Sequence, residues 1–202
     1  MRRWPIDLHA KNSRLLKAKI RAFDIILSII GLALLAIPLS ILVLIGFVDT
    51  KSPLFFQKRL GKGKRPFYLI KLRTMKKGTP SLATHLVNFS AVTPYGGVLR
   101  KTKLDELPQL INVLMGRMSF VGPRPGLPSQ DDLTREREKR SLYKVRPGIT
   151  GLAQIRGVDM SQPKLLAELD EQMMSELSLG KYFKYIIQTF LGMGTRDGVV
   201  RK

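Results

Sequence analysis

The chain has 202 residues, with 35 Lys plus Arg against 15 Asp plus Glu, and the formal net charge of +20 calls for a polyanionic partner or surface. A hydrophobic content of 44% excludes a wholly disordered chain, and the absence of cysteine excludes a disulfide framework, a Cys-ligated zinc site and a thiol nucleophile. Two histidines, His9 and His85, are too few for a His-rich metal site, and neither stands in a recognisable Ser-His-Asp frame.

Residues 1–22 carry Arg2, Arg3, Lys11, Arg14, Lys17, Lys19 and Arg21 against Asp7, and read as a basic segment on anionic lipid with Trp4 as an interfacial anchor. From Ile25 to Val48 no side chain is ionisable, a run longer than the roughly 18 residues that mark a transmembrane candidate. It starts too far in, and lacks the small-x-small pattern, for a signal peptide. A second basic flank follows, with Lys51, Lys58, Arg59, Lys62, Lys64 and Arg65 against Asp49. Both flanks therefore ask for the cytoplasmic face, which one segment satisfies by entering and leaving on the same side. Pro38, with Gly31 and Gly46 on either side, supplies the break, and the Ser28 and Ser40 hydroxyls are candidates to satisfy freed backbone groups. Residues 23–48 are expected to form a re-entrant helix-break-helix, with a straight span as the alternative. The aromatic residues are not interleaved with the basic runs, so no nucleic acid is expected.

Pro53 to Arg59, a Gly-Lys-Gly-Lys turn and Pro66 to Met75 read as a β-hairpin, and Lys76 to Tyr95 as a loop. Leu104, Leu107, Leu110, Ile111 and Leu114 recur at helical spacing, predicting a helix that begins near Thr102 or Asp105, has Pro108 in its first turn and stops at Gly116. Asp105 and Glu106 would then stand at a helix N-terminus. The bland reading makes Asp105 a cap or capping-box partner of Thr102 and Glu106 a solvated first-turn residue. Against it stand Arg100, Lys101 and Lys103, among which carboxylates stay ionised and suit a nucleophile or a Mg²⁺ ligand better than a general acid.

In Phe120 to Gly126, Pro123 and Pro125 fix the backbone on either side of Arg124, which lowers the entropy lost when that arginine grips a phosphate. Arg146 to Gly151 repeats the theme, with Gly148 and Gly151 allowing backbone N–H groups close to an anion, although either loop alone is a common turn. Asp131 to Arg140 alternates charge at helical spacing and reads as a solvated helix face. A helix is expected from Gln162 through Leu177, and Lys181 to Leu191, with its aromatic and Lys mixture, as a second interfacial helix rather than core. No Walker loop, GxGxxG, HxxxH or internal repeat is present.

Four segments, KLRTM at Lys71–Met75, LRKTKLDELPQLINVL at Leu99–Leu114, MSFVGPRP at Met118–Pro125 and VRPGITGLAQ at Val145–Gln154, resemble the bacterial sugar transferase family, the small monotopic phosphoglycosyl transferases. The likeness runs from about Lys19 to Leu191. It implies an α/β, mainly helical, membrane-associated single domain with the re-entrant segment, a short β-hairpin and interfacial helices, and a catalytic domain over residues 49–202 on the cytoplasmic face of the bacterial inner membrane. The implied reaction moves a sugar 1-phosphate from a UDP-sugar to polyprenol (undecaprenyl) phosphate. Asp105 would attack the β-phosphate, expel UMP and carry an aspartyl phosphosugar, with Glu106 as its partner at Mg²⁺. Arg100, Arg124 and Arg146 would offset the diphosphate charge, and Pro123, Pro125, Gly148 and Gly151 would shape its loops. Lys71 and Arg73 match a family KFR-type motif, which the resemblance places at the substrate phosphates or nucleotide, and Asp170 matches an acidic position; the residues themselves give no role for the motif or for Asp170.

Two departures stand out: Ile37 precedes Pro38 where the family usually has Ser, and a familiar Asp-x-Arg-x-Thr-x-x-Gly run survives only as Thr93 to Gly96. The chain reads as a minimal catalytic form without additional N-terminal spans. A homodimer stays open. The alternatives are a non-catalytic basic membrane adaptor for acidic partners or nucleic acid, and a glycosyl transferase that would release UDP instead of UMP.

Overall fold

The computed structural model describes residues 10–80 and 89–192, so Arg2, Arg3, Trp4, Asp7, His9 and His85 lie outside the described residues. Helix α1 runs from Ala10 to Thr50 as one continuous helix of 41 residues with Pro38 inside, in place of the two half-helices expected over residues 23–48, and it extends back through the basic segment read as ending at residue 22. It is long and apolar enough to cross a membrane, and Leu34, Ile37, Leu44 and Val48 project from it unburied, which supports membrane association. Ser40 Oγ donates to Ala36 O at 2.8 Å in the turn that contains Pro38. Ser28 does not help there: it is buried with its hydroxyl unpartnered. It lies more than two turns before the proline, whose missing N–H frees a carbonyl only one turn back.

Polar groups tie both ends of α1 to the rest of the molecule. Arg21 donates to Val113 O at 2.7 Å and Leu114 O at 2.8 Å. Asp24 Oδ1 accepts from Ser119 Oγ, Phe120 N and Tyr182 Oη at 3.0, 3.0 and 2.9 Å. Further along, Tyr95 Oη donates to Leu42 O at 2.6 Å and Thr93 Oγ1 to Asp49 Oδ2 at 2.8 Å.

The expected hairpin is present as β1 (Leu54–Leu60) and β2 (Pro66–Leu72), antiparallel with Gln57 opposite Leu69 and Arg59 opposite Phe67. Those four side chains face inward and are buried, whereas Phe56, Lys58 and Tyr68 face out, the alternation a half-buried hairpin requires. Arg59, counted in the sequence among lipid-facing charges, is therefore an interior residue.

Helix α2 (Pro94–Thr102) begins in the last two residues of the expected loop and fills a stretch for which no element was expected. Its local signal is plain, since Thr93 accepts from Gly96 N as the N-cap and Pro94 occupies the first turn. The single helix expected to Gly116 is instead a 3₁₀ turn at Leu104–Glu106 followed by α3 (Gln109–Leu114), with Gly116 ending it at φ 76°. Two three-residue strands, β3 (Ser119–Val121) and β4 (Gly148–Thr150), pair in parallel within the two loops read as turns. Glycine permits this contact: a Cβ on Gly148 would lie 2.1 Å from Gly122 N.

The C-terminal part adds α4 (Asp131–Lys139), α5 (Leu152–Ile155), α6 (Pro163–Ser175) and α7 (Leu179–Phe190). Helix α4 is not wholly solvated, because Leu133 and Arg137 are buried. Helix α7 joins both readings offered for it. Tyr182 and Tyr185 enter a core with Val121, Met173 and the α1 residues Phe23 and Leu27, while Phe190 is 90% exposed beside exposed Ile187 and Leu191. Further cores form around Phe67, Leu69, Val113 and Met118, and around Leu133, Ala153, Leu166 and Leu169.

Candidate active site

Helix α2 stops at Lys103, whose left-handed φ of 59° turns the chain into the 3₁₀ turn that carries Asp105 and Glu106. Thr102 Oγ1 bonds back to Val98 O at 2.8 Å, so the capping-box reading fails. The carboxylates precede α3 by more than two residues, and their electrostatics come from side chains. Lys71 arrives from the inward face of β2. That strand is registered on α3 by Asn112, fully buried, whose amide accepts from Ile70 N at 3.0 Å and donates to Tyr68 O at 2.8 Å. Lys71 Nζ then stands 2.8 Å from Glu106 Oε1 and 3.8 Å from Asp105 Oδ2. Arg124 reaches the same Glu106 oxygen at 2.5 Å from the loop after β3.

The surroundings of Asp105 and Glu106 shift the two carboxyls in opposite directions. Burial raises the Asp105 carboxyl above the usual range, helped by Glu106 and opposed by Lys71, Arg100 and Arg124. Burial also pushes Glu106 up, but Arg124 and Lys71 outweigh it and hold this carboxyl far below the usual range. Glu106 is thus a fixed anion that aligns two cations, while Asp105 is a buried carboxylate whose charge is less well compensated. Less compensation leaves more basicity, which a nucleophile uses.

Asp105 and Glu106 fit a Mg²⁺ ion held the usual way, by one or two carboxylates with substrate phosphates and water completing the shell. Lys71 and Arg124 both engage Glu106 Oε1, and Lys71 Nζ also stands 3.8 Å from Asp105 Oδ2, so an ion here would share the two carboxylates with these cations. No cluster of three or more metal-binding side chains occurs among the described residues, so substrate oxygens would have to contribute.

The other predicted residues divide. Arg100 acts on Asp105 from the last turn of α2. Arg73 does not join the cluster: it donates to Ser52 O, Ser52 Oγ and Leu54 O and lies over the Phe55 ring, bracing the link from α1 to β1. Arg146 Nε donates to Gly116 O at 2.8 Å. The Gly148 N–H, expected to face an anion, is taken by Pro123 O at 2.9 Å. A Cβ on Gly151 would lie 2.9 Å from Met173 Sδ, so this glycine lets α5 pack on α6. Pro123 and Pro125 flank Arg124 as expected. Asp170 is buried on α6, paired with Arg137 of α4 at 2.6 Å. Asn112, Arg59 and Arg137 escaped the sequence reading, since an Asn inside an apolar helix is the only one of the three with a visible signal.

Known proteins can be set beside this geometry. The family model described as bacterial sugar transferase matches residues 15–196. The chain belongs to the bacterial sugar transferase family. Among relatives, it is 37% identical over 191 residues to the UDP-glucose:undecaprenyl-phosphate glucose-1-phosphate transferase of Caulobacter vibrioides, covering 88% of this chain and 70% of that protein. To the Escherichia coli protein of the same name it is 40% identical over 150 residues, 72% of this chain but 32% of that one. A Bacillus subtilis relative is called a putative undecaprenyl-phosphate N-acetylgalactosaminyl 1-phosphate transferase and is 40% identical over 124 residues, 60% of this chain and 69% of that one. This family member is accordingly a transferase.

Proposed function

We propose that this protein transfers a sugar 1-phosphate from a UDP-sugar to polyprenyl phosphate, of the undecaprenyl kind named for its relatives, as the opening step of a bacterial glycoconjugate. The observation that carries the reading is the buried Asp105 carboxylate set among Lys71, Arg100 and Arg124. A basic adaptor has no use for such a cluster in its interior.

An Asp105 oxygen attacks the β-phosphorus of the UDP-sugar, the bond from that phosphorus to the bridging oxygen breaks, and UMP leaves with the electron pair. The aspartyl phosphosugar that remains is attacked at phosphorus by an oxygen of the polyprenyl phosphate, which restores the Asp105 carboxylate and yields the polyprenyl diphosphosugar. Lys71, Arg100 and Arg124 offset the repulsion between carboxylate and diphosphate, and Glu106 holds Lys71 and Arg124 at the reacting phosphate. Mg²⁺ bound through Asp105 and Glu106 would supply Lewis-acid polarisation of the diphosphate oxygens.

A membrane-bound acceptor and a soluble donor meet only at the headgroup plane. We infer that residues 23–48 enter and leave the cytoplasmic leaflet, with residues 1–22 on its surface and 49–202 catalytic. Helix α1 runs unbroken from Ala10 to Thr50 with Pro38 inside, so the support for the re-entrant path is the pair of basic flanks, one at either end of the apolar segment.

Nucleotide release tests the function. Purified protein given Mg²⁺, undecaprenyl phosphate and a panel of UDP-sugars should release UMP with one of them; release of UDP would mean transfer of the sugar alone.

A further inference from the structure

The Pro123–Gly126 loop carries Arg124, yet two of its four residues are prolines with no N–H to bond. It is held instead by its carbonyls, all four of them. Pro123 O accepts from Gly148 N at 2.9 Å, and Gly126 O from Leu60 N at 2.9 Å. The two between are held by buried guanidinium groups: Arg124 O accepts from Arg137 Nη1 at 2.7 Å and Pro125 O from Arg59 Nη1 at 2.9 Å.

Each guanidinium is itself immobilised. Arg137 gives Nε and Nη2 to Asp170 Oδ2 at 3.1 and 2.6 Å, and Arg59 gives Nε and Nη2 to Gln57 Oε1 at 3.0 and 2.5 Å. We propose that Arg137, braced by Asp170, and Arg59, braced by Gln57, are positioning residues that clamp this loop by its carbonyls and hold the Arg124 guanidinium on Glu106.

Stability alone gives poor grounds for this arrangement. A buried ion pair roughly breaks even against apolar residues of the same volume, so Arg137 and Asp170 are better explained by what they orient. Arg59 has only a neutral amide as its brace, and burial with Arg124 and Arg137 nearby, partly offset by Glu106, lowers its pKa to about 9, which leaves it charged at neutral pH. Burying such a group beside two other cations is costly, and the carbonyl it grips belongs to the residue after Arg124. The clamp also joins α4, α6 and β1 to one loop, so a shift in any of them is felt at Arg124. Asp170, whose role could not be read from the residues alone, acquires one: it aims Arg137.

The proposal rests on the transferase reading above. Its test is a double-mutant cycle on UMP release between the clamp and Arg124. Because Arg137→Met alone leaves Asp170 buried and unpaired and endangers folding, the principal variant is the apolar pair Arg137→Met with Asp170→Leu, with Arg137→Lys as the conservative partner. In the wild-type background the apolar pair should lower kcat/KM by about 10-fold to 100-fold with an unchanged melting profile, and Arg137→Lys should restore part of it. In an Arg124→Ala background the same pair should cost less than about 2-fold, since nothing is left to aim. Equal losses in both backgrounds, or no loss in either, overturn the clamp in an enzyme that otherwise works. A wild-type protein that releases no UMP from any donor counts against the function itself, and the clamp falls with it.

Discussion

At the scale of single residues, Asp105 and Glu106 are neighbours in sequence with opposite titration behaviour, and this has consequences that can be measured. Asp105 has a folded pKa above 3.8, so its ionisation opposes folding, a cost that appears as pH rises through that folded value. Asp105→Asn should therefore melt higher than the wild type at pH 7, with the difference closing below about pH 4 in thermal unfolding curves. Glu106 has the reverse sign: its stabilisation is present above its ordinary pKa of 4.5 and is lost as pH falls through its depressed folded value. Lys71 lowers both carboxyls, so Lys71→Met should move the acid limb of the pH–rate profile to higher pH, apart from any loss of rate. An unmoved limb would detach Lys71 from the nucleophile. The sequence already singled out this pair by its cation-rich setting. It gave no sign that the two would differ, because burial and the choice of partner for each oxygen are tertiary properties.

At the scale of elements, hydrophobic alternation correctly announced the β1–β2 hairpin, and the helices expected over Gln162–Leu177 and Lys181–Leu191 are present as α6 and α7. Periodicity failed where three-residue strands and a 3₁₀ turn replaced longer units, since β3, β4 and Leu104–Glu106 are too short to show a period. Helix α2 was readable from Thr93-Pro94 alone. Arg137 lay hidden among the alternating charges of α4, where nothing distinguishes the residue that faces Asp170. Asn112 is the clearest link between elements, because its amide completes β2 with two hydrogen bonds. Asn112→Leu leaves Ile70 N and Tyr68 O without that partner, and should destabilise the protein by about 2–6 kcal/mol in urea unfolding, given about 1–3 kcal/mol for each of the two unsatisfied groups. It should also lower activity by releasing Lys71 from register.

At the scale of the whole molecule, the excess of basic residues has two destinations. Part flanks the apolar segment, as charge arithmetic indicated, and part lies inside, as Arg59 and Arg137. The anchoring of α1 through Arg21 and Asp24 near one end and Leu42 and Asp49 near the other keeps the apolar helix against the domain that carries Asp105. Because the chain has no native cysteine, Lys17→Cys and Lys51→Cys give clean topology probes. In inside-out membrane vesicles both should react with an impermeant maleimide, whereas labelling of one alone would indicate a straight span.

The proposed reaction turns on its covalent step, and Asp105 carries it. Purified protein would be incubated with its UDP-sugar donor in the absence of acceptor, quenched in acid, and the peptide containing Asp105 weighed by mass spectrometry while released nucleotide is quantified. The expected result is a mass gain of one sugar phosphate on that peptide with a matching burst of UMP, both absent in Asp105→Asn. Turnover by folded Asp105→Asn, or UMP that appears only once polyprenyl phosphate is added and with no adduct on Asp105, would contradict it.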